Sequence, residues 1–182
     1  MAIEIERKFL VRDIRFLQDA QGENIVQGYV AKEQGAMSTR VRIRADRAFL
    51  TIKGPRAGIT RDEFEYPIPI ADAVRMLSAY CNDRIVRKTR YLVHFHTQTF
   101  EVDVFEGKHA GLVVAEIELS HEGAPIVLPH WIDREVTSDP RFGNFRLAQT
   151  QQIPEDVDLH WWPGPRHSTG GAANMTGLKL SA

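Results

Sequence analysis

Several features that mark common protein classes are missing from this chain. It has a single cysteine, Cys81, so no internal disulfide can form and a reducing compartment is expected. Neither charge sign dominates: the formal net charge of −1 gives no overall pull toward nucleic acid or an anionic membrane. No apolar run approaches transmembrane length, and the first residues alternate like a strand and carry acids. Neither a membrane span nor a signal peptide is therefore expected. There is no GxxxxGKT phosphate loop, no His/Cys spacing for zinc and no Ser/His/Asp set. His94 and His96 stand two apart and read as strand residues rather than metal ligands. With 182 residues, 43% hydrophobic and 26% charged, what remains is a cytoplasmic globular chain with room for one domain and a real core.

What the chain has in quantity is alternation. The segments 2–11, 25–32, 37–45, 47–54, 60–68, 84–95, 98–106 and 112–121 alternate and are rich in Val, Ile, Phe, Tyr or Thr, which predicts strands. Short turns separate several of them, at Ala45-Asp46, at Gly54-Pro55 with Gly58, and from Gly107 to Gly111. Hairpins and antiparallel pairing follow. After Pro69, IADAVRMLSAYC places Ile70, Val74, Leu77 and Cys81 at helical spacing. Asp13 to Ala20, Pro129 to Val136 and Phe145 to Gln151 are further helix candidates. About eight antiparallel strands with flanking helices predict a mainly β (α+β) fold, a closed antiparallel barrel wide enough for side chains or a small ligand.

The domain is expected over 1–152. From 153 to 182 the turn formers and loss of period predict a C-terminal tail, anchored by Trp161 and Trp162 and mobile at its Gly/Ala/Ser-rich end. The sequon Asn174-Met175-Thr176 is read as chance in a chain without a secretory signal.

Charge alternates with the same period of two. Glu4, Glu6 and Lys8 share one face of the first strand, while Ile3, Ile5 and Phe9 take the other. Further acidic pairs are Glu63 and Glu65, Glu101 and Asp103, and Glu116 and Glu118. The basic sets are Arg40, Arg42 and Arg44, then Lys88 and Arg90, with Lys53 alone. Any one doublet reads most simply as the wet face of a sheet. Like charges two apart lie ~7 Å from each other, a repulsion on the order of 2 kcal/mol at an effective dielectric near 20 and well under 1 in water. Solvent would tolerate each pair. Segregation of sign by strand favours an enclosed face instead, because ordinary surfaces mix their charges. An enclosed face of this kind needs cations for its acids and anions for its bases, and a metal-bound polyphosphate supplies both. Carboxylates suit Mg2+ or Mn2+, and Arg and Lys suit phosphate oxygens.

The motifs also stand in a characteristic order: IEIERKFLV at the start, QGY at 27–29, RVR at 40–42, FLTIKG at 49–54, RDEFEY at 61–66, KTRY at 88–91, EVDVF at 101–105, AEIEL at 115–119 and EVTSDPRF at 135–142. In this the chain resembles CYTH proteins, the triphosphate tunnel metalloenzymes, and among them the short bacterial inorganic triphosphatase-like members. The resemblance implies an eight-stranded barrel whose charged interior holds a triphosphate and a divalent metal, Mg2+ or Mn2+. It implies Glu4, Glu6, Glu116 and Glu118 as leading metal ligands, with Glu63, Glu65 and Asp103 completing the acidic wall. It implies Lys8, Arg40, Arg42, Lys53, Lys88 and Arg90 as phosphate binders, and Tyr29 as the catalytic partner of Lys8. Arg44 extends the basic stripe, either as a further phosphate contact or at the rim.

The expected activity is hydrolysis of tripolyphosphate to pyrophosphate and orthophosphate. The alternatives are a thiamine triphosphatase, a class IV adenylate cyclase, an RNA triphosphatase or a noncatalytic polyphosphate- or nucleotide-binding module. The expected partner is a small-molecule triphosphate, with no nucleic-acid polymer and no membrane; a homodimer is left open.

Overall fold

The computed structural model describes residues 3–32, 37–81 and 84–162. Its strands are β1 (Ile3–Val11), β2 (Gly22–Lys32), β3 (Ser38–Arg44), β4 (Arg47–Lys53), β5 (Thr60–Ile68), β6 (Ile85–Phe95), β7 (Gln98–Phe105), β8 (Val113–Glu118) and β9 (Ile132–Glu135). The helices are α1 (Ile70–Tyr80) and α2 (Asn144–Thr150). The strands run in the order β5-β4-β3-β2-β6-β7-β8-β1-β9, and an additional β5–β1 pairing closes the first eight into a barrel. Every pairing is antiparallel. The mainly β closed barrel expected from alternation is what forms.

β1 makes closure possible because its two halves do different work along one edge. Ile3, Glu4 and Ile5 pair with Asp62, Arg61 and Thr60 of β5, whereas Phe9 and Val11 pair with β9. Its other edge meets β8, setting Glu6 opposite Glu118 and Lys8 opposite Glu116. In a strand only alternate residues share a face, so this register sends the β1 charges and the AEIEL acids to the same side.

Apolar packing covers the barrel from three directions. On one flank, Val41, Ile43 and Ala48 pack under Ala73 and Leu77 of α1 and Cys81, which caps its C-terminal end. Gly28 lets the helix come close: a Cβ there would lie 2.7 Å from Cys81 Sγ and 2.9 Å from Leu77 Cδ2. On the opposite flank Phe9, Val102, Ala115 and Ile117 join Trp131, with Trp161 and Trp162 packed against that cluster. One end is plugged from within, where Leu10, Tyr29, Phe105 and Val114 meet Phe142, Leu147 and Ala148 at α2.

Three sequence expectations change. Pro129 to Val136 is no helix: Pro129 accepts a turn hydrogen bond from Ile132 and the chain then continues as β9. The free edge of β1 beyond β5 is what recruits it. Asp13 to Ala20 keeps only a single 3-10 turn, Arg15–Leu17, which buries Leu17 and needs no longer helix. Along α1 and its C-terminal cap the buried line is Ala73, Leu77 and Cys81, while Ile70 is exposed at the helix start. Phe145 to Gln151, by contrast, does form helix, as α2.

Among the described residues no helix is long and apolar enough to cross a membrane. Residues 153–162 lie along the domain, where Asp156 binds Arg134 at 2.7 Å and Arg141 at 2.9 Å. The expected mobile end, 163–182, and its sequon lie outside the described residues.

Candidate active site

The alternating charges converge. A cavity of about 1230 Å³ is lined by Glu4, Glu6, Lys8, Tyr29, Arg40, Arg42, Arg44, Lys53, Glu63, Glu65, Arg90, Glu116 and Glu118. Lys88 and Asp103, expected beside them, are not part of the lining. They are sealed behind it, Lys88 1% and Asp103 0% exposed, with Lys88 bonded to Asp103 and 5.5 Å from the Phe105 ring centroid. Asp103 then grips Arg90, which does line the cavity, through Nε at 2.6 Å and Nη2 at 2.6 Å. Burial pushes the Lys88 ammonium down to about 8, against the pull of Asp103 and with the repulsion of Arg90. Despite its own burial, Asp103 is held below the usual carboxylate range by Arg90 and Lys88.

Around the bore, acids and bases pair within strands, between neighbours and across an intervening strand. Lys8 binds Glu116, and Glu6 at 3.2 Å. Lys53 binds Glu4 at 2.8 Å and Glu63 at 2.9 Å. Arg42 meets Glu65 at 2.7 Å and Arg40 meets it at 3.3 Å, while Thr51 Oγ1 donates to the same carboxylate at 2.7 Å. Arg90 reaches Glu116 at 2.9 Å and also binds Glu101. Arg44 sits at the rim, tied to Glu23; it both extends the stripe and lines the cavity.

Burial and these pairs set the proton affinities. Burial pushes the proton affinity of Lys8 down, yet Glu116 and Glu6 raise it well above its ordinary value. Burial would raise Glu116, which Lys8 and Arg90 instead keep far below the usual carboxylate range. For Glu4 the upward push of burial loses to Lys53, a hydrogen bond from Glu63 and Arg61, so its carboxyl stays low, while Glu63 is raised by burial and by Glu4. Glu118 differs: burial and then the nearby Glu101, Glu4 and Glu6 carboxylates raise it, and among the described residues it has no ion-pair partner. Tyr29 is raised by burial against the opposing field of Arg40, Arg61 and Lys8, so its hydroxyl keeps its proton. Gln27 Nε2 approaches that hydroxyl at 3.5 Å.

Sequence reasoning overlooked three lining residues that bear on the chemistry, Arg61, Arg56 and Asn144, and named a fourth, Glu101, without giving it a site role. Arg61 opens the RDEFEY motif and shares the Glu63 face by period two, a signal that was available; it binds Glu4, and Glu6 at 3.1 Å. Glu101 was readable as half of a doublet and lines the bore beside Glu118. Arg56 lies in a turn, where no period marks it, and it binds Glu6. Asn144 comes from the start of α2 and takes a hydrogen bond from Lys88 at 3.4 Å.

The donor set fits a hard divalent cation beside an anion. The lining acids are carboxylates with no histidine or cysteine among them, a match for Mg2+ or Mn2+. No three acidic, histidine or cysteine side chains among the described residues cluster around one point. Such an ion would therefore take one or two carboxylates and complete its shell from phosphate and water, as Mg2+ commonly does. For the anion, Arg40 and Arg42 each retain a buried Nε–H with no acceptor among the described residues, and buried donors of that kind are costly unless a ligand meets them.

A closed antiparallel barrel with its charged groups turned into the bore defines a class of tunnel proteins whose chemistry lies inside the sheet. Residues 2–148 match the CYTH domain, and the chain belongs to the CYTH domain family, whose tunnel enzymes generally depend on a divalent metal. It is similar to an inorganic triphosphatase of Acetivibrio thermocellus, 43% identical over 149 residues that cover 82% of this chain and 95% of the relative. It is also similar to an inorganic triphosphatase of Nitrosomonas europaea, 34% identical over 80% of this chain and 96% of the relative. A crystal structure of an inorganic triphosphatase superimposes with a TM-score of 0.61 at 33% identity, covering 85% of this chain and 98% of that one.

Proposed function

We propose that this protein hydrolyses inorganic tripolyphosphate to pyrophosphate and orthophosphate, with Mg2+ or Mn2+ as the working metal. The observation that carries the reading is the pairing of carboxylates with cations across one bore. Bare polyphosphate would strip the bases from the acids and leave the acids uncompensated. A metal–polyphosphate complex exchanges partner for partner, its cation taking the acids and its oxygens the bases. Relatives named inorganic triphosphatase across nearly their whole length support the same substrate.

One or two of Glu4, Glu6, Glu116 and Glu118 would hold the metal directly, with Glu63 and Glu65 releasing Lys53, Arg40 and Arg42 to the phosphate chain. A divalent ion held there neutralises phosphate charge and makes a nearby water a better nucleophile. Arg40, Arg42, Lys53 and Arg90 would hold the chain extended, since phosphoryl transfer depends chiefly on positioning and electrostatics. Lys8, kept protonated by its neighbours, would neutralise charge at the reacting phosphate, and Tyr29 would donate a hydrogen bond there from its buried hydroxyl. Lys88 and Asp103 act one layer back, fixing the Arg90 guanidinium.

The test is incubation with tripolyphosphate, thiamine triphosphate and ATP, with either metal, while orthophosphate, pyrophosphate and cyclic AMP are measured. Fastest release of orthophosphate and pyrophosphate from tripolyphosphate is expected. Cyclic AMP from ATP, or no product from any substrate, would overturn the assignment.

A further inference from the structure

Around Glu6 the charges do not balance locally. Three cations converge on this one carboxylate: Lys8 at 3.2 Å, Arg61 at 3.1 Å, and Arg56. Lys8 has Glu116 as a second partner and Arg61 has Glu4. Among the described residues, Arg56 has only Glu6.

The three also differ in how firmly they are held. The Lys8 side chain is 8% exposed and that of Arg61 17%, both on barrel strands, whereas that of Arg56 is 30% exposed. Arg56 is carried on the exposed turn joining β4 to β5, which the Ala57–Thr60 bridge and Gly58 at φ +65° fold back on itself. Both stems of the turn are pinned: Gly54 N–H donates to the Asp62 carbonyl at 2.9 Å, and Thr60 Oγ1 donates to Glu122 at 2.6 Å. The turn therefore presents one long cationic side chain over the cavity from a fixed base, and that side chain can leave its carboxylate at little structural cost.

We infer that Arg56 is an exchangeable counter-ion of Glu6: it occupies the carboxylate until a divalent cation arrives and then moves to the phosphate oxygens of the metal-bound substrate. The inference rests on the metal–triphosphate reading of the cavity and adds a residue from outside the barrel strands. Its physical basis is competition. With Lys8 and Arg61 already on the same oxygen, the Arg56 guanidinium repels a metal ion approaching Glu6, and once displaced, still over the cavity, it finds its next strongest partner in a phosphate oxygen.

Competition predicts effects of opposite sign, which a merely structural role would not produce. Arg56→Gln should bind Mn2+ alone about threefold to tenfold more tightly by calorimetry, because the competing cation is gone. The same variant should show a KM for tripolyphosphate raised by a similar factor, because a phosphate contact is gone. Arg56→Lys, which keeps the charge, should restore both values most of the way. Circular dichroism serves as the fold control, and the exposed turn makes loss of fold unexpected. Unchanged or weaker Mn2+ binding in Arg56→Gln, or an unchanged KM, would overturn the exchange. If the wild-type protein hydrolysed no triphosphate while Arg56→Gln still tightened Mn2+ binding, the triphosphatase assignment would fall and the competition at Glu6 would stand.

Discussion

Lys88 is where burial most directly tunes a single residue. Its ammonium is enclosed by Asp103, Arg90 and the Phe105 ring, and burial brings its proton affinity down to about 8. The free protein should therefore lose this charge as the pH rises through about 8, leaving Asp103 to draw on Arg90 alone. A falling kcat/KM on the alkaline side of that value is expected, since this ratio reports groups of the free enzyme. Lys88→Arg, charged throughout, should extend the plateau upward; an identical alkaline fall in that variant would clear Lys88 of the role. The sign for stability is opposite. A lysine with a folded value below its ordinary 10.5 binds fewer protons folded than unfolded between about 8 and 10.5, so its contribution to stability rises with pH across that window.

Much of the site was legible residue by residue, because inward residues on a strand must recur every second position. Glu4, Glu6 and Lys8, or Arg40 and Arg42, could be read that way. Depth could not. Lys88 and Asp103 follow the same period as Arg90 and Glu101, yet they are fully buried toward the end of the barrel where Phe105, Val114 and α2 pack. Arg56 was invisible for another reason: a turn has no period, and its reach to Glu6 spans 50 positions of sequence.

Among the elements, α1 shows how an outer helix supports an inner site. It packs on β2, β3 and β4, the strands carrying Tyr29, Arg40, Arg42 and Lys53, and it does so through the space left by Gly28. Gly28→Ala would force a methyl into contacts of 2.7 Å with the Cys81 side chain. Overpacking of that kind costs about 1–3 kcal/mol, which urea unfolding should register as a lower midpoint with an unchanged slope. An unaltered midpoint would mean that the helix is free to shift. α1 itself could be read from its period after Pro69. β9 could not be read as a strand, because four residues take their form from the edge of β1 that they cover, and that edge exists only once the barrel has closed.

For the whole molecule the governing fact is closure. Pairing of β1 with both β5 and β8 turns an alternating sheet, which could have faced water, into a bore where every inward charge needs a partner. Exchange of the partners found across the bore for a metal and a polyphosphate is the proposed basis of activity. Its most direct test is the rate of orthophosphate release from tripolyphosphate as Mg2+ or Mn2+ is titrated, compared between wild type and Glu4→Gln. The wild type should show saturable dependence on the metal. Glu4→Gln, with a wild-type circular dichroism spectrum, should lose at least ~100-fold in rate, the scale set by removing a key charge-stabilising group from an active site. A folded Glu4→Gln protein that turns over at the wild-type rate with the same metal dependence would contradict it.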